Sequence, residues 1–236
     1  MDLAFTDRRG GVSPAPFDSL NLALTGPDDE RARAENLRLV LADFAPGAAL
    51  ADLRQVHGDT VHVVAGSPTP AASPPDADGI VTAEPDVVLL VRAADCVPVL
   101  LADPAAGVVG AAHAGRLGLA AGVVPRTVQR MRELGATEVT AWVGPHVCGS
   151  CYEVPADLQA EVGAVVPASV ATTSWGTPAL DLGAGVRAQL EGSGVSVVDV
   201  ARCTRECADL YSFRRDGHQA GRLAGLVRLR PPGSAA

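Results

Sequence analysis

Val87-Val88-Leu89-Leu90-Val91-Arg92-Ala93-Ala94-Asp95-Cys96-Val97-Pro98-Val99-Leu100-Leu101 is the stretch on which the fold turns. Two short, almost wholly apolar runs, Val87 to Val91 and Val97 to Leu101, flank a more polar connection. Runs of that length without polar alternation read as strands covered on both faces. Material must therefore pack on either side of the sheet that holds them. The connection Arg92-Ala93-Ala94-Asp95-Cys96 sits at the mouth between two buried strands, where open sheets gather functional groups.

Working outward, Gly107 to Ala112 is a third strand and ends at His113. A helix is predicted from about Leu119 to Leu134, stopped by Gly135, with Pro125 kinking it or marking its effective start. Thr137 to Val143 reads as a strand leading into the loop Gly144-Pro145-His146-Val147-Cys148-Gly149-Ser150-Cys151-Tyr152. Asp181 is placed to cap a helix that ends near Gly192 or Gly194. Val195 to Val200 is a strand, and Leu223 to Leu229 is placed to close the sheet. On the other side, Thr60 to Ala65 has strand character, and Ser67 to Pro75 is a Pro/Ala/Ser loop. Thr25-Gly26-Pro27-Asp28-Asp29-Glu30 starts a helix, with acids facing the positive end of its dipole. Leu37, Val40, Leu41 and Phe44 give that helix one core face. The segment up to Ala23 reads as a strand and an ordered loop. Strands and helices mingle without a strict βαβ rhythm. The expected fold is α/β mixed (α+β): a single layered catalytic domain over 1–230, with mixed β-sheets flanked by helices, and a frayed tail at 231–236.

The aromatic content is only 3% of 236 residues, so the core must be built mainly from Ala, Val and Leu. All 19 basic residues are Arg, and the formal charge is −8. A field of that sign repels phosphate backbones, which argues against a nucleic-acid partner. The charged N-terminus lacks an apolar signal core, and the uncharged stretch from Val162 to Leu180 is interrupted by Pro167 and Pro178. A cytoplasmic protein without a membrane partner is expected. In that setting five Cys, an odd number, read as metal ligands or reactive thiols rather than disulfides.

His57, Cys96 and His113 all fall at strand ends. Two imidazoles and a thiolate make a three-ligand set that leaves a fourth zinc position for water or substrate. Against this, a lone His is usually a satisfied residue and a lone Cys usually packs as a small hydrophobe. Cys148-x2-Cys151 with Cys203-x3-Cys207 offers a further four-thiolate reading. His146 is a candidate for the same pocket as His57, whereas His62 and His218 read as solvated.

The wider pattern resembles the family variously named multicopper polyphenol oxidase (laccase-like), purine nucleoside phosphorylase or peptidoglycan editing factor. The resemblance runs through Thr6-Asp7-Arg8-Arg9-Gly10-Gly11-Val12-Ser13, Ser19-Leu20-Asn21-Leu22, Gln55-Val56-His57-Gly58, Ala77-Asp78-Gly79-Ile80-Val81-Thr82, Ala94-Asp95-Cys96 and Ala112-His113-Ala114-Gly115. It continues in Cys151-Tyr152-Glu153-Val154, Cys203-Thr204, Phe213-Arg214-Arg215-Asp216-Gly217 and Gly221-Arg222-Leu223-Ala224-Gly225. It implies that His57, Cys96 and His113 are zinc ligands. The implied activities are phosphorolysis of adenosine, inosine and methylthioadenosine, and deamination of adenosine. The partners are then nucleosides and phosphate, with no oligomeric state fixed. Deamination needs a carboxylate to shuttle protons. Asp95, beside Cys96, is the first candidate, and Asp78 is the alternative to its plain reading as a turn residue. Phosphate needs cations, for which Arg8, Arg54, Arg214 and Arg215 are the candidates.

Two features depart from the family pattern. The family's His-Ala-Gly is usually followed by Trp-Arg-Gly, where this chain has Arg116-Leu117-Gly118; the change bears on substrate preference more than on metal binding. The loop with His146, Cys148 and Cys151 also differs from that of many members. Competing readings are a copper-dependent polyphenol oxidase, a cysteine hydrolase of peptidoglycan peptides with Cys96 as nucleophile, and a non-enzymatic binding module. Copper centres of the laccase type call for many His and usually a Met ligand, and the chain has five His and two Met.

Overall fold

The computed structural model describes residues 1–66 and 73–231. In chain order the elements are β1 (Asp2–Phe5), α1 (Glu30–Phe44), β2 (Ala49–Ala51), β3 (Val61–Val64), β4 (Gly79–Thr82), β5 (Val87–Ala93), β6 (Val97–Asp103) and β7 (Val108–Ala114). They continue with α2 (Arg116–Ala121), α3 (Val123–Glu133), β8 (Thr140–Val143), α4 (Ala156–Val165), β9 (Val170–Thr172), β10 (Pro178–Leu180), α5 (Leu182–Gly192), β11 (Ser196–Asp199), α6 (Phe213–Asp216) and β12 (Leu223–Arg228). Most of the Ser67–Pro75 loop and the tail from 232 lie outside the described residues.

The expected mixed α/β architecture is present. One sheet has the order β1-β12-β5-β2 and a larger one β11-β8-β6-β7-β4-β3; β9 and β10 form a separate pair. Both larger sheets are mixed, with β2–β5, β3–β4 and β8–β11 parallel and the remaining pairs antiparallel. The layering follows from side-chain alternation along each strand. On β5, Val88 and Leu90 join Leu37, Val40, Leu41 and Phe44 of α1. Leu89 and Val91 point the other way, onto Leu100 and Ala102 of β6 and Val109 and Ala111 of β7, between the two sheets. The opposite faces of β6 and β7, with Val97, Val99, Leu101 and Ala112, pack on Val124, Val128 and Met131 of α3 and Val186 of α5. The order of layers is thus helix, sheet, sheet, helices. Every residue of β5, β6 and β7 is buried, as continuous apolar runs require.

Helix boundaries depart from the sequence reading in instructive ways. The first helix opens at Asp29, whose carboxylate accepts from the Ala32 N–H, two residues beyond Pro27. The predicted Leu119–Leu134 helix is two helices, and the break falls at Gly122, not at Pro125. Gly122 takes φ +87°, a left-handed conformation that a glycine adopts at little cost and that serves as C-cap for α2 and N-cap for α3. Pro125 is then the third residue of α3, within the first turn, where a missing N–H breaks no intrahelical bond. Asp181 caps α5 as expected, accepting from the Ala184 N–H at 2.7 Å. The sequence reading missed α4, whose apolar and polar residues follow no clear helical period, and the short strands β2, β4, β9 and β10. No helix of the described residues is long and apolar enough to cross a membrane.

Candidate active site

Cys96 immediately precedes β6 and His113 is the penultimate residue of β7. Because Pro98 pairs with His113 in the β6–β7 ladder, the thiol and the imidazole emerge side by side at one end of the sheet. His57 comes from the turn ahead of β3, at the same end. One ligand atom from each of the three residues lies within 4.8 Å of the others. Cys96 Sγ is 3.8 Å from His57 Nε2, and the two imidazole rings meet edge-on with centroids 4.9 Å apart.

Asp78, just before β4, organises this cluster. Its carboxylate is fully buried and accepts from the N–H groups of Val56, His57 and Gly58 at 3.1, 3.0 and 2.7 Å. The same carboxylate holds His113 Nδ1 at 2.8 Å. It thereby fixes the tight turn in which His57 takes φ +61°, an uncommon backbone state for a side-chain-bearing residue. Nδ1 of His113 is engaged by Asp78, so Nε2 is the nitrogen left for the cluster, the arrangement by which carboxylates orient metal-binding imidazoles. Burial pushes the Asp78 carboxyl up, but His113 and the amides of Gly58 and Val56 hold it below the usual range. Asp78 does not line the cavity; its carboxylate braces the turn that carries His57 and holds the His113 imidazole.

The residues fit a metal ion. The donor set is two imidazoles and a thiolate, and the backbone leaves space beside it at Gly115. A Cβ there would lie 2.6 Å from His57 Cδ2 and 3.0 Å from Cys96 Sγ. The local electrostatics favour the ionised thiol. Burial pushes the Cys96 thiol up, yet the charge and hydrogen bond of His113, joined by those of His57, bring it down to about 6. Burial opposes a charged His113, but the Cys96 thiolate and the Asp78 carboxylate raise it to about 9.

His57, Cys96 and His113 line a cavity of about 680 Å³. Of the four arginines read from the sequence, Arg54 and Arg214 line it and Arg8 and Arg215 do not. Arg8 turns to the N-terminal loop, donating to the Asp18 carbonyl at 2.7 Å and lying 4.7 Å over the Tyr211 ring. Arg215 is spent on the carbonyls of Thr204, Arg205, Cys207 and Leu210 and on Asp216. Two lining arginines were not singled out. Arg92, within the decisive stretch itself, is paired with Asp52. Arg222 has no carboxylate partner among the described residues and donates to the Ala220 and Gly221 carbonyls at 2.8 and 3.0 Å. Burial lowers its pKa, while Cys96 and Asp95 nearby pull it back up.

Asp95 is the one carboxylate that lines the cavity among the described residues. Its φ is +85°, and its two oxygens accept from the Thr204 hydroxyl at 2.6 Å and the Arg214 N–H at 2.5 Å. It thus ties the loops that form the outer wall to the strand end that carries Cys96. On that wall, Arg214 lies 4.3 Å over the Tyr152 ring, and Phe213 is 43% exposed. Both rings border the cavity. Arg116 and Leu117, in the first turn of α2, do not line it.

His146 does not face the cavity. It is buried, with Nδ1 2.8 Å from the Gly144 carbonyl oxygen and its Nε2 edge against Gly183, where a Cβ would approach to 2.2 Å. His218 is exposed beside Phe213, as expected of a solvated side chain, whereas His62 is half-buried on β3. The other thiols form a second group. Cys148, Cys151, Cys203 and Glu206, not Cys207, bring one ligand atom each to within 4.8 Å of one another. Burial, and then the neighbouring Cys203 and Cys151, push the Cys148 thiol up to about 12. Cys207 instead packs toward Leu210, Tyr211 and Leu223.

Fold and site together define a layered, mixed α/β protein with a His–Cys–His group able to hold a metal ion at the ends of its central strands. Residues 2–230 match the model of the family described as multi-copper polyphenol oxidoreductase laccase, and the chain belongs to that family. A purine nucleoside phosphorylase of Streptomyces coelicolor is 52% identical over 231 residues, covering 95% of this chain and 94% of that protein. A purine nucleoside phosphorylase of Deinococcus radiodurans is 44% identical, over 96% of this chain and 88% of that protein. Among solved structures, the Bacillus licheniformis protein YfiH aligns with a TM-score of 0.88 at 27% identity, over 97% of this chain and 92% of that one. A Neisseria meningitidis protein aligns with a TM-score of 0.85 at 33% identity, over 97% and 94% of the two chains.

Proposed function

We propose that the chain is a zinc-dependent purine nucleoside enzyme that phosphorolyses adenosine, inosine and methylthioadenosine and deaminates adenosine. The observation that carries this reading is one cavity lined, among the described residues, by His57, Cys96, His113, a single carboxylate and the half-buried cation Arg222. The kinship with proteins named purine nucleoside phosphorylase supports it. His57, Cys96 and His113 would hold zinc, which when bound supplies a Lewis acid able to polarise a substrate oxygen.

The protein's own groups divide the rest of the work. Arg222, half-buried and without an ion-pair partner among the described residues, would anchor phosphate, whose oxygens match a guanidinium bidentately. Arg54, paired with Asp76, and Arg214, which donates to the Glu153 carbonyl, are exposed at the cavity and would draw the anion in. Phe213 and Tyr152 offer flat apolar faces for the base. In phosphorolysis a phosphate oxygen bonds to the sugar C1′ as the bond from C1′ to the base breaks, giving free base and sugar phosphate. In deamination water replaces the amino group at the purine C6, and Asp95 would carry the proton from that water to the departing ammonia.

Incubating the metal-loaded protein with phosphate and each nucleoside, then measuring free base, sugar phosphate and ammonia, tests the reading. No free base and no ammonia from any of them would remove it. Copper oxidase chemistry of the multi-centre kind is disfavoured by the donors. Only His57 and His113 converge among the described histidines, and Met131 packs inside the core beside Gly110. One observation favours a cysteine hydrolase as second reading: the Cys96 thiol lies 3.8 Å from His57 Nε2 and beside His113, a setting that favours its ionised form. A metal-bound thiolate is a poor free nucleophile, so peptide hydrolysis appearing only after the metal is stripped would favour that second reading.

A further inference from the structure

The cluster of Cys148, Cys151, Cys203 and Glu206 lies outside the cavity and plays no part in the proposed chemistry. It is assembled by local backbone rules. Cys148-Gly149-Ser150-Cys151 is a tight turn in which the N–H groups of Cys151 and Tyr152 both donate to the Cys148 carbonyl, at 3.0 and 3.1 Å. Gly149 lets this turn lie flat on α5's cap, since a Cβ there would meet Asp181 Cβ at 2.8 Å. The turn is bound to the second loop by a parallel bridge between His146 and Cys203, with the Thr204 N–H donating to the His146 carbonyl at 3.0 Å. The Cys207 N–H then donates to the Cys203 carbonyl at 3.0 Å, closing one turn of chain that brings Glu206 back over the thiols. Cys151 Sγ lies 3.4 Å from Glu206 Oε1.

We propose that these four residues form a second metal site, structural in character, which takes a soft divalent cation of the zinc type through three thiolates and one carboxylate. The ligand atoms are mutually within 4.8 Å. A tetrahedral zinc with bonds of about 2.3 Å to sulfur sets its sulfurs ~3.8 Å apart, so a contraction of under about 1 Å closes the site. The Cys-x2-Cys turn supplies two ligands from one loop and Cys203 with Glu206 two from the other, the usual way a structural site staples separate segments. The thiols give up their protons to solvent as the cation binds, and no bond is oxidised. All three Cys are free thiols.

The staple has a consequence for the cavity. Tyr152 follows Cys151 directly, and Thr204, which donates to Asp95, follows Cys203. A metal here would set the outer wall against the floor from outside, without touching substrate. The site does not depend on the nucleoside reading and is tested apart from it, through metal binding alone.

Full-length protein and its Cys96→Ala and Cys148→Ser variants are to be purified and their zinc measured per chain. Two equivalents are expected in the wild type and one in each variant. Metal-free Cys96→Ala is then titrated with cobalt(II) alone, and a tetrahedral spectrum with strong sulfur-to-cobalt charge transfer is expected. If Cys148→Ser fails to fold, Glu206→Gln serves instead, because Glu206 is exposed. Its second equivalent should be stripped at a chelator concentration that leaves the wild type loaded. A single equivalent in the wild type, lost entirely with Cys96→Ala, would overturn the proposal. So would a cobalt titration of Cys96→Ala without charge transfer, or a disulfide among Cys148, Cys151 and Cys203 in the protein as isolated.

Discussion

The floor of the cavity and its outer wall are held by different means. Cys96 and His113 stand at the ends of β6 and β7, strands paired on both sides in the six-stranded sheet, and His57 is bound to them through one buried carboxylate. Tyr152, Phe213, Arg214 and Arg222 stand on loops and a four-residue helix. Those loops are tied to the strand end that carries Cys96 through Asp95, which accepts from the Thr204 hydroxyl and the Arg214 N–H, and to one another by the bridge between His146 and Cys203. On the proposed reading, a floor of that kind should keep its geometry through changes in the wall, with metal binding set by the sheet and substrate choice by the loops.

The largest effect is expected at the floor. Cys96→Ala should lose its metal and with it all measurable turnover, while circular dichroism and thermal unfolding stay close to wild type. A cavity-lining strand end contributes less to folding than a closed structural site. A variant that unfolds instead would show that the floor is a folding element and not only a platform. Next in size is Asp78→Asn. An amide cannot accept at both oxygens from the three turn amides and His113, so both histidines lose their support. Metal affinity should fall about 10–100-fold, the usual cost of removing such a partner. Competition with a chromophoric chelator measures it, and unchanged affinity would break the claim that Asp78 unifies the floor.

The wall should respond in kinetics, not in metal content. Arg222→Gln removes a charge-assisted partner for phosphate, typically about 1.5–3 kcal/mol, so the KM for phosphate should rise about tenfold or more. Metal content and adenosine deamination, which uses no phosphate, should stay put. Asp95→Asn joins both regions and so separates its two possible roles. As proton carrier, Asp95 should cost deamination far more than phosphorolysis when replaced. As the tie that places Arg214, it should cost both in parallel, mostly in KM.

The same division decides what could be read from the sequence. At the floor, Cys96 and His113 could be placed from the sequence because they interrupt or end apolar runs: Cys96 sits between Val91 and Val97, and His113 terminates Val108 to Ala112. Burial forces such runs into strands, and strands place their ends together. His57 ends no such run, and the family resemblance, not the spacing, grouped the three as candidate ligands. The wall was legible only in part, with Arg54 and Arg214 found and Arg92 and Arg222 missed, since an arginine's role depends on which partners the fold brings to it. Arg215 meets four carbonyls and Arg92 meets Asp52, whereas Arg222 has no ion-pair partner among the described residues. Likewise Cys203-x3-Cys207 suggested the second thiol pair, but a turn of chain puts Glu206 at that place and Cys207 against Leu210. The helix break at Gly122 was missed for a related reason: proline is the stronger breaker in general, yet in the first turn of α3 it breaks nothing.

The smallest effect on function, and the sharpest control, is expected at the far end of the strand that Cys96 opens. Asp103 closes β6, is buried, and accepts from the N–H groups of Ala106 at 3.0 Å, Thr137 at 2.7 Å and Glu138 at 2.8 Å. These amides, Ala106 foremost, hold its pKa at about 2 against an ordinary 3.8, with burial acting the other way. A carboxylate whose pKa is lower folded than unfolded stabilises the fold above its unfolded value, and that contribution disappears as pH falls through the folded one. Wild-type stability should therefore drop between about pH 4 and pH 2 more steeply than that of Asp103→Asn, which is less stable at neutral pH but less sensitive to acid. Turnover and metal content of the variant at neutral pH should match wild type, because Asp103 resembles Asp78 in gripping backbone amides but holds no ligand. Denaturant unfolding across that pH range, with parallel acid slopes for the two proteins, would refute the assignment. A fall in metal content would show instead that the two ends of β6 are coupled, and that the floor is less independent of the remaining fold than its strand pairing implies.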